Sequence, residues 1–356
     1  MKLGLITFHR AINYGGVLQT FALQQAIEKA GANVEIIDYY CPAIERMYRP
    51  KFKDWFRKNN IKRVAAVFLK NGILLFNNKK FSNFRNNYLK TSDKRYLSHE
   101  DLRSAQYDKY ITGSDQVWSP VCAGFDTAYF LDFVTESKKK NSYAASFGVG
   151  AVNEELHNKY YELLHDYNQI SVRENDGAKI IKSILNKDVD VVPDPTLLLN
   201  KREWGYLFSQ KRDIKDRYIL IYMISEDNAL INKAKELSKK TGLKIYYVND
   251  RFYKKRGVIN LRKVSPEQWV NLFFNAEYIF TNSFHGVAFS INFKKNFFVK
   301  ALNQNQKVNS RIFNILEHYN LKLDDFNELV QNDEIDKLLE ADRRKGNDYL
   351  TKILED

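Results

Sequence analysis

Short apolar segments alternate with helical segments in two successive rounds along this 356-residue chain. In the first round, apolar residues at 2–8 and 33–38 flank a helical segment at 16–30. The second round runs from an apolar segment at 218–224 to another at 296–299, with helical patterns between them. Strands that alternate with helices in this way usually pair in parallel and are covered by the helices. The pattern predicts an α/β protein with two Rossmann-like domains in tandem.

The boundary between the two rounds is marked by Pro193-Asp194-Pro195 and by the polar, charged segment that follows it. Closely spaced prolines interrupt regular structure and are typical of connections. The predicted domains therefore cover 1–200, with an inserted segment at about 46–90, and 201–325. The last residues, 326–356, have apolar side chains at helical spacing and predict a helical segment that packs back across the domain junction.

The composition favours a soluble protein from a reducing compartment. An apolar fraction of 44% suffices for two packed cores, and two cysteines, Cys41 and Cys122, are too few for a disulfide framework. The most apolar stretch, 64–76, is interrupted by Lys70 and Asn71, whereas a membrane-spanning helix needs about 20 apolar residues. The first residues predict a strand rather than a signal peptide. We expect a cytoplasmic location.

The inserted segment is strongly basic. Between residues 49 and 90, twelve lysines and arginines accompany a single acid, Asp54, within a chain of formal net charge +13. Three interpretations fit this charge: a solvated helical face, a surface for anionic membrane lipid or a lipid diphosphate, and a nucleic-acid surface. No helix-turn-helix, zinc-finger or RNP pattern accompanies the charge, so we expect no nucleic-acid partner.

Polar turns follow two predicted strands of the first domain, at the edge where open α/β sheets bind ligands. The first, Asn13-Tyr14-Gly15-Gly16, lets a ligand approach the backbone closely but lacks the dinucleotide fingerprint. The second is Gly113-Ser114-Asp115-Gln116-Val117-Trp118. There Asp115 and Gln116 can hydrogen-bond sugar hydroxyls, and Trp118 can stack on a sugar. The alternative is an Asp-capped turn with Trp118 in the core.

Two further junctions place a basic side chain where a strand gives way to a helix. Arg173 can bind a carboxylate or phosphate bidentately, or form a structural ion pair with Glu174 or Asp194. His285 follows the apolar run 278–281 at a helix start, where N–H groups favour an anion and an imidazole can transfer a proton. A capping or buried structural histidine is the alternative. The other histidines lack metal-ligand spacing, so no metal site is predicted.

Seven motifs, taken in order, resemble the polysaccharide pyruvyl transferase family over nearly the full chain. Each alone is modest, but together they are fairly specific. They are Asn13-Tyr14-Gly15-Gly16, Gly113-Ser114-Asp115-Gln116-Val117-Trp118, Ser142-Tyr143-Ala144-Ala145-Ser146-Phe147-Gly148, Ser171-Val172-Arg173-Glu174, Val192-Pro193-Asp194-Pro195-Thr196, Thr281-Asn282-Ser283-Phe284-His285-Gly286 and Asn309-Ser310-Arg311-Ile312. Ser283-Phe284-His285 departs from the Arg-Leu-His common in the family, so one donor-binding cation is absent or comes from elsewhere.

The resemblance implies a GT-B-like architecture with the active site in the cleft between the domains. It also implies transfer of the enolpyruvyl group of phosphoenolpyruvate to a sugar in a precursor of a cell-surface polysaccharide, such as capsule or exopolysaccharide. The products would be a pyruvate ketal and phosphate. Arg173 and His285 match the donor-site motifs of the family. A second basic residue is implied, for which Lys307 is favoured and Lys300 and Arg311 are alternatives.

The chemistry of this reaction independently asks for these residue types. Protonation of the enol carbon needs a general acid that titrates near neutral pH, for which His285 is the candidate. A trianionic donor needs cations such as Arg173, together with N–H groups at the Gly286 helix start. Asp115 is expected to orient or deprotonate a sugar hydroxyl. The other acceptor-side candidates are Asn13, Tyr14, Gly15, Gly16, Gln116, Trp118 and Ser283.

No cofactor is expected, because phosphoenolpyruvate is itself the donor substrate. The basic segment is predicted to hold a lipid-linked or oligosaccharide acceptor, with the protein peripheral at the anionic inner face of the cytoplasmic membrane. The alternative function is a GT-B-type glycosyltransferase of the same pathway with a nucleotide-sugar donor. Such an enzyme would prefer an acidic ribose clamp, and none stands out in the sequence.

Overall fold

The computed structural model describes residues 1–49, 61–207, 214–250, 255–301, 306–329 and 332–356, with the side chains of 61–70 and 306–308 outside that description. Within these residues the chain forms two α/β halves, each around one main sheet. Over the same ranges, no helix has the length and apolar character to cross a bilayer. Cys41 and Cys122 are free thiols.

The N-terminal sheet is built from β1 (Lys2–Ile6), β2 (Asn33–Tyr39), β3 (Thr91–Tyr96), β4 (Lys109–Gly113) and β5 (Lys140–Tyr143). Its strands pair in parallel in the order β3-β2-β1-β4-β5. A short parallel pair, β6 (Ser171–Val172) and β7 (Asp190–Val191), continues from β5 through an isolated bridge between Ala145 and Val172. The turns after β1, β4 and β6 therefore lie along one edge.

The C-terminal sheet is built from β8 (Tyr218–Tyr222), β9 (Lys244–Val248), β10 (Ile259–Leu261), β11 (Tyr278–Thr281), β12 (Asn296–Val299) and β13 (Phe326–Asn327). The order is β10-β9-β8-β11-β12-β13, and all pairs are parallel except β12 with β13. Every residue of β8 is buried, as in a central parallel strand covered on both faces. The prediction of two Rossmann-like domains in tandem is confirmed.

The helices cover both faces of the sheets. The α-helices of the described residues are α1 (Tyr14–Lys29), α2 (Pro42–Met47), α3 (Ile61–Tyr88), α4 (His99–Leu102), α5 (His157–Leu164), α6 (Asn175–Leu185), α7 (Pro195–Leu198), α8 (Lys201–Trp204), α9 (Asn228–Thr241), α10 (Pro266–Asn275), α11 (Phe284–Asn292), α12 (Gln306–His318) and α13 (Asp333–Glu355). Short 3-10 helices lie at Cys122–Gly124, Thr127–Phe130, Ser137–Lys139, Glu154–Leu156 and Gly205–Leu207.

An apolar cluster runs continuously from one half into the other. The ring of Phe21 in α1 lies 5.8 Å from Trp204, and Trp204 lies 4.9 Å from Phe289 in α11, measured between centroids. The C-terminal helix α13 packs on α7, and near its end the Ile353 carbonyl accepts a hydrogen bond from Lys109 Nζ at 2.6 Å. These contacts fix the cleft between the two halves.

The inserted basic segment forms α2 and α3, and residues 50–60 lie outside the described ranges. Helix α3 packs on α10 of the C-terminal half. Asn77 Nδ2 donates to Asp250 Oδ2 at 2.7 Å, and Lys80 Nζ donates to Gln268 Oε1 at 3.1 Å. Part of this helix is therefore an interdomain contact rather than a solvated face.

Candidate active site

Three of the predicted turns meet in the cleft between the two halves. The turn before α1, the turn after β4 and the start of α11 border a cavity of about 140 Å³. Residues from both halves line it, as the strand-end rule for open sheets predicts. They are Asn13, Asp115, Gln116, Ile224, Asn282, Ser283, Phe284, His285, Arg311 and Ile312.

Arg173 follows β6 and is held by carboxylates of the N-terminal half. Its Nε donates to Glu174 Oε1 at 2.7 Å, and its Nη1 donates to Asp194 Oδ2 at 2.8 Å. Burial alone would lower the pKa of Arg173, but Glu174, Asp194 and Asp115 outweigh burial and raise that pKa. Both structural ion pairs weighed for Arg173 are thus present. Its Nη2 is buried and has no acceptor among the described residues.

Asp194 is the acid that joins the two halves of the site. Its Oδ1 accepts from the backbone N of Thr196 at 2.9 Å and from its Oγ1 at 2.7 Å, and its Oδ2 lies 3.7 Å from His285 Nε2. Burial would raise the pKa of Asp194, but His285, Arg173 and the Thr196 hydrogen bonds hold it well below the usual value. From the sequence, Asp194 is expected at a domain boundary and as one alternative ion-pair partner of Arg173, but not as a neighbour of His285. Its position directly after a strand was the available signal for a site residue.

The imidazole of His285 lies at the first turn of α11, against the backbone of Gly15. A Cβ at Gly15 would overlap the ring, which explains the glycine at this position. His285 Nε2 is buried and has no hydrogen-bond partner among the described residues. The geometry leaves this nitrogen free to exchange a proton with a bound molecule.

Arg311, on α12, approaches the same place from the C-terminal half. Its Cζ lies 6.0 Å from the Phe284 ring centroid, and the Cζ of Arg173 lies 4.3 Å from that centroid. Arg311 Nε is buried without an acceptor among the described residues. Burial first, and then the charge of Arg173, lower the pKa of Arg311. Its charge is therefore under-compensated by the protein.

The three candidates for the second cation are placed differently. Arg311 lines the cleft. Lys300 Nζ instead forms an ion pair with Asp227 Oδ2 at 2.9 Å and does not line that cavity. The side chain of Lys307, the favoured candidate from the sequence, lies outside the described residues. Between the two candidates whose side chains are described, the geometry favours Arg311 over Lys300, and the role of Lys307 stays a prediction.

A second cavity, of about 330 Å³, also has Phe284 in its lining. Phe284 and Arg311 border both cavities, and Arg173 borders this one. Lys345 and His318 from the C-terminal helices also line it. An anion beside Phe284 can therefore be reached by both guanidinium groups.

Asp115 lines the cleft and has an uncommon, left-handed backbone conformation. Its φ of 69° is left-handed, and its Oδ1 accepts from the Gln116 N–H at 2.9 Å. The same Oδ1 lies 4.0 Å from Arg173 Nη1. Gln116 also lines the cleft, and its side chain occupies the space that a Cβ at Gly148 would need.

Trp118 does not face the cleft, so the prediction that its ring stacks on a sugar is wrong. The side chain is fully buried, its Nε1 donates to the Tyr129 carbonyl at 3.3 Å, and its ring stacks on Phe130. The backbone of the Asp115 turn directs the indole into the core. The alternative interpretation, a core tryptophan, is the one observed.

The remaining predicted residues mainly organise the cleft. Asn13 Oδ1 accepts from Gly16 N at 3.2 Å, which caps α1, and Asn13 also lines the cavity. Tyr14 bridges the halves, because its hydroxyl donates to the Val264 carbonyl at 2.9 Å.

Ser283 Oγ accepts from the Gly286 N–H at 3.4 Å, so this one N–H of the helix start has a partner within the protein. Gly286 packs against Thr281, where a Cβ would overlap the threonine hydroxyl. In the part of the chain that the structure describes, no group of three or more metal-ligating side chains comes together.

Comparisons with known proteins agree with this fold and these motifs. S. aureus MnaA, in a co-structure with UDP, superposes on the chain with a TM-score of 0.51 and 12% identity, covering 97% of this chain and 90% of its own. A UDP-N-acetylglucosamine 2-epimerase superposes with a TM-score of 0.50 and 9% identity, covering 99% and 94%. At such identity the likeness shows the fold alone, and the predicted GT-B-like architecture is confirmed.

The sequence itself has a more specific match. No curated protein matches the chain, but the family described as polysaccharide pyruvyl transferase matches residues 13–303. That range contains both walls of the cleft up to β12, including Arg173, Asp194 and His285. The chain belongs to the polysaccharide pyruvyl transferase family.

Proposed function

We propose that the protein transfers the enolpyruvyl group of phosphoenolpyruvate to two hydroxyls of a sugar in a polysaccharide precursor, forming a pyruvate ketal and releasing phosphate. The observation that carries this proposal is a group of three buried nitrogen atoms without protein partners among the described residues. They are Arg173 Nη2, Arg311 Nε and His285 Nε2. All three side chains contact the Phe284 ring.

Buried cationic donors without acceptors are costly unless a ligand satisfies them. Two guanidinium groups that repel each other are best compensated by a ligand with several negative charges. Phosphoenolpyruvate carries a carboxylate and a phosphate on three carbons, so it can engage both Arg173 and Arg311. Both guanidinium groups approach the Phe284 ring, at 4.3 Å for Arg173 Cζ and 6.0 Å for Arg311 Cζ from the ring centroid.

His285 is proposed as the general acid. It donates a proton to the terminal enol carbon while the first sugar hydroxyl adds to the adjacent carbon, where oxocarbenium character develops. The bond to phosphate breaks, and the second hydroxyl adds to the same carbon to close the ketal. One hydroxyl proton replaces the proton that His285 gave, and the other leaves with phosphate.

Asp115 is proposed to orient a sugar hydroxyl, or to take its proton and pass it on to the departing phosphate. It is the acid among the described residues that line the cleft, and Asn13, Gln116 and Ser283 offer neutral hydrogen-bonding groups beside it. Ionised acids accept hydrogen bonds from hydroxyls, whereas the donor site is cationic. The acceptor therefore fits the N-terminal side of the cleft.

Phosphate release from phosphoenolpyruvate, measured with a panel of sugar acceptors, tests the proposal. We expect release only when a sugar is present, and a loss of about 10²- to 10⁴-fold in kcat for His285→Asn. His165→Asn removes an exposed imidazole that bonds only to nearby backbone, and it should keep wild-type turnover. Consumption of a nucleotide sugar in place of phosphoenolpyruvate would instead support a glycosyltransferase and contradict the proposal.

A further inference from the structure

A second cationic site lies outside the catalytic cleft, on the N-terminal half. A groove of about 360 Å³ separates the end of α2 from α3. Arg10, Arg49, Lys79 and Arg85 line it, with Glu45 as the accompanying acid. We call it the Arg85 groove.

The acids near this groove are already used by other cations. Arg10 donates to Asp38 Oδ1 at 2.7 Å and to Glu45 Oε1 at 2.5 Å, and Arg95 Nη2 donates to the same Glu45 oxygen at 2.8 Å. Arg85 Nη1, in contrast, is buried and has no acceptor among the described residues. Burial and the neighbouring Arg10 lower the pKa of Arg85 to about 10. The protein thus leaves this guanidinium short of negative charge.

The groove is connected to the catalytic cleft by shared wall residues. Ile12 lines the Arg85 groove and also a neighbouring cavity, which Asn13 and Ile224 line in turn. Asn13 and Ile224 then border the cleft that holds His285. One intervening cavity therefore separates the groove from the cleft, and the proposed acceptor would extend along it.

We propose that the Arg85 groove binds a phosphate or diphosphate group carried by the sugar acceptor, while the sugar itself lies in the cleft near Asp115. This inference rests on the proposed function. A guanidinium binds phosphate oxygens bidentately, and the exposed Arg49 and Lys79 add charge at the mouth. A flat lipid surface is less suitable, because the unpaired nitrogen of Arg85 is buried in a concave groove.

Calorimetric titration with inorganic pyrophosphate at low ionic strength tests the groove directly. We expect Arg85→Gln to weaken binding about tenfold or more, because it removes a charge-assisted hydrogen bond, and Lys79→Gln to weaken it less. Arg103→Gln, which removes an equal charge from an exposed arginine, should bind as wild type. Titration of an Arg311→Met background removes any contribution from the donor site. Wild-type affinity in Arg85→Gln would overturn the proposal.

Thermal unfolding separates binding from a structural role. An unpaired buried charge does not stabilise the fold, so the Tm of Arg85→Gln should equal or exceed that of wild type. A clear drop in Tm, with pyrophosphate affinity unchanged in Lys79→Gln, would mean that the guanidinium is structural.

Two further binding experiments distinguish a lipid-linked phosphate from a soluble one. Tighter binding of decyl diphosphate than of pyrophosphate indicates a lipid-linked acceptor, and equal binding indicates a soluble sugar phosphate. Binding to vesicles with 30% phosphatidylglycerol that needs Arg85, without pyrophosphate binding, would show a membrane surface and overturn the proposal. Phosphoenolpyruvate affinity should be unchanged in Arg85→Gln. If the wild type did not bind phosphoenolpyruvate at all, the proposed function would be refuted instead.

Discussion

The two sides of the cleft present an arginine to the same phenyl ring, yet the two arginines differ in how they are compensated. Arg173, from the N-terminal half, has hydrogen bonds to Glu174 and Asp194. Arg311, from the C-terminal half, has a buried Nε that finds no acceptor among the described residues. Paired charges hold a wall in place, whereas an unpaired buried charge is a place for a ligand's charge. Under the proposed function, we therefore expect Arg173 mainly to position the site and Arg311 mainly to bind the donor.

The largest effect on stability should come from removing the ion pairs of Arg173. Arg173→Met leaves Glu174 and Asp194 buried without their cation, so we expect the free energy of unfolding to fall by about 3–5 kcal/mol, with loss of turnover. Urea denaturation measures the first quantity. Unchanged stability would mean that the carboxylates do not depend on Arg173.

The contact between Gly15 of the N-terminal half and His285 of the C-terminal half can be disturbed by a substitution at Gly15. Gly15→Ala places a methyl group into the imidazole of His285, so the ring must move, and we expect about 1–3 kcal/mol of destabilisation and a marked loss of kcat. Gly72→Ala is a matched control, because a Cβ there meets nothing within 4 Å. That control should keep its activity, and its stability should be equal or up to about 1 kcal/mol higher. Full turnover in Gly15→Ala would argue against His285 as the acid.

On the unpaired side the stability effect should be small. Arg311→Met removes a charge that burial and Arg173 disfavour more than Glu174 and Asp115 favour it, so the free energy of unfolding should stay within about 1 kcal/mol of wild type. Urea denaturation of Arg311→Met and Arg173→Met under the same conditions compares the two free energies of unfolding. Equal, large losses in both variants would erase the distinction between the two sides.

The smallest effect is expected at Lys300. Its partly exposed ion pair with Asp227 is worth about 0–1 kcal/mol, and it lies outside the cleft. Lys300→Gln should therefore keep the wild-type KM for phosphoenolpyruvate. A KM raised tenfold would make Lys300 a donor-binding cation and would weaken the case for Arg311.

Much of this site could be predicted because its residues follow strands. Periodicity locates the ends of β1, β4, β6 and β11, and the parallel arrangement then brings Asp115, Arg173 and His285 to one edge. Strand periodicity does not, however, show whether a side chain in the following turn points into the cleft or into the core. Trp118 points into the core because the left-handed turn at Asp115 directs it there.

Other elements carried no clear sequence signal. Strand β3, Thr91–Tyr96, is polar and charged at the sheet edge, so it lacks the apolar pattern that reveals central strands. Asp194 lies between two prolines and resembles a connection; its pairing with Arg173 is one alternative from the sequence, whereas its contact with His285 has no sequence signal. Whether an arginine forms an ion pair cannot be predicted from the spacing of residues along the sequence, because it depends on which acids the fold brings close to it.

Calorimetric titration with phosphoenolpyruvate, for the wild type and for Arg311→Met, measures the contribution of Arg311 to donor binding. We expect the wild type to bind, and Arg311→Met, folded with near-wild-type stability, to bind about tenfold more weakly or worse. Equal affinity in the two proteins would contradict the claim that the uncompensated guanidinium of Arg311 holds the donor.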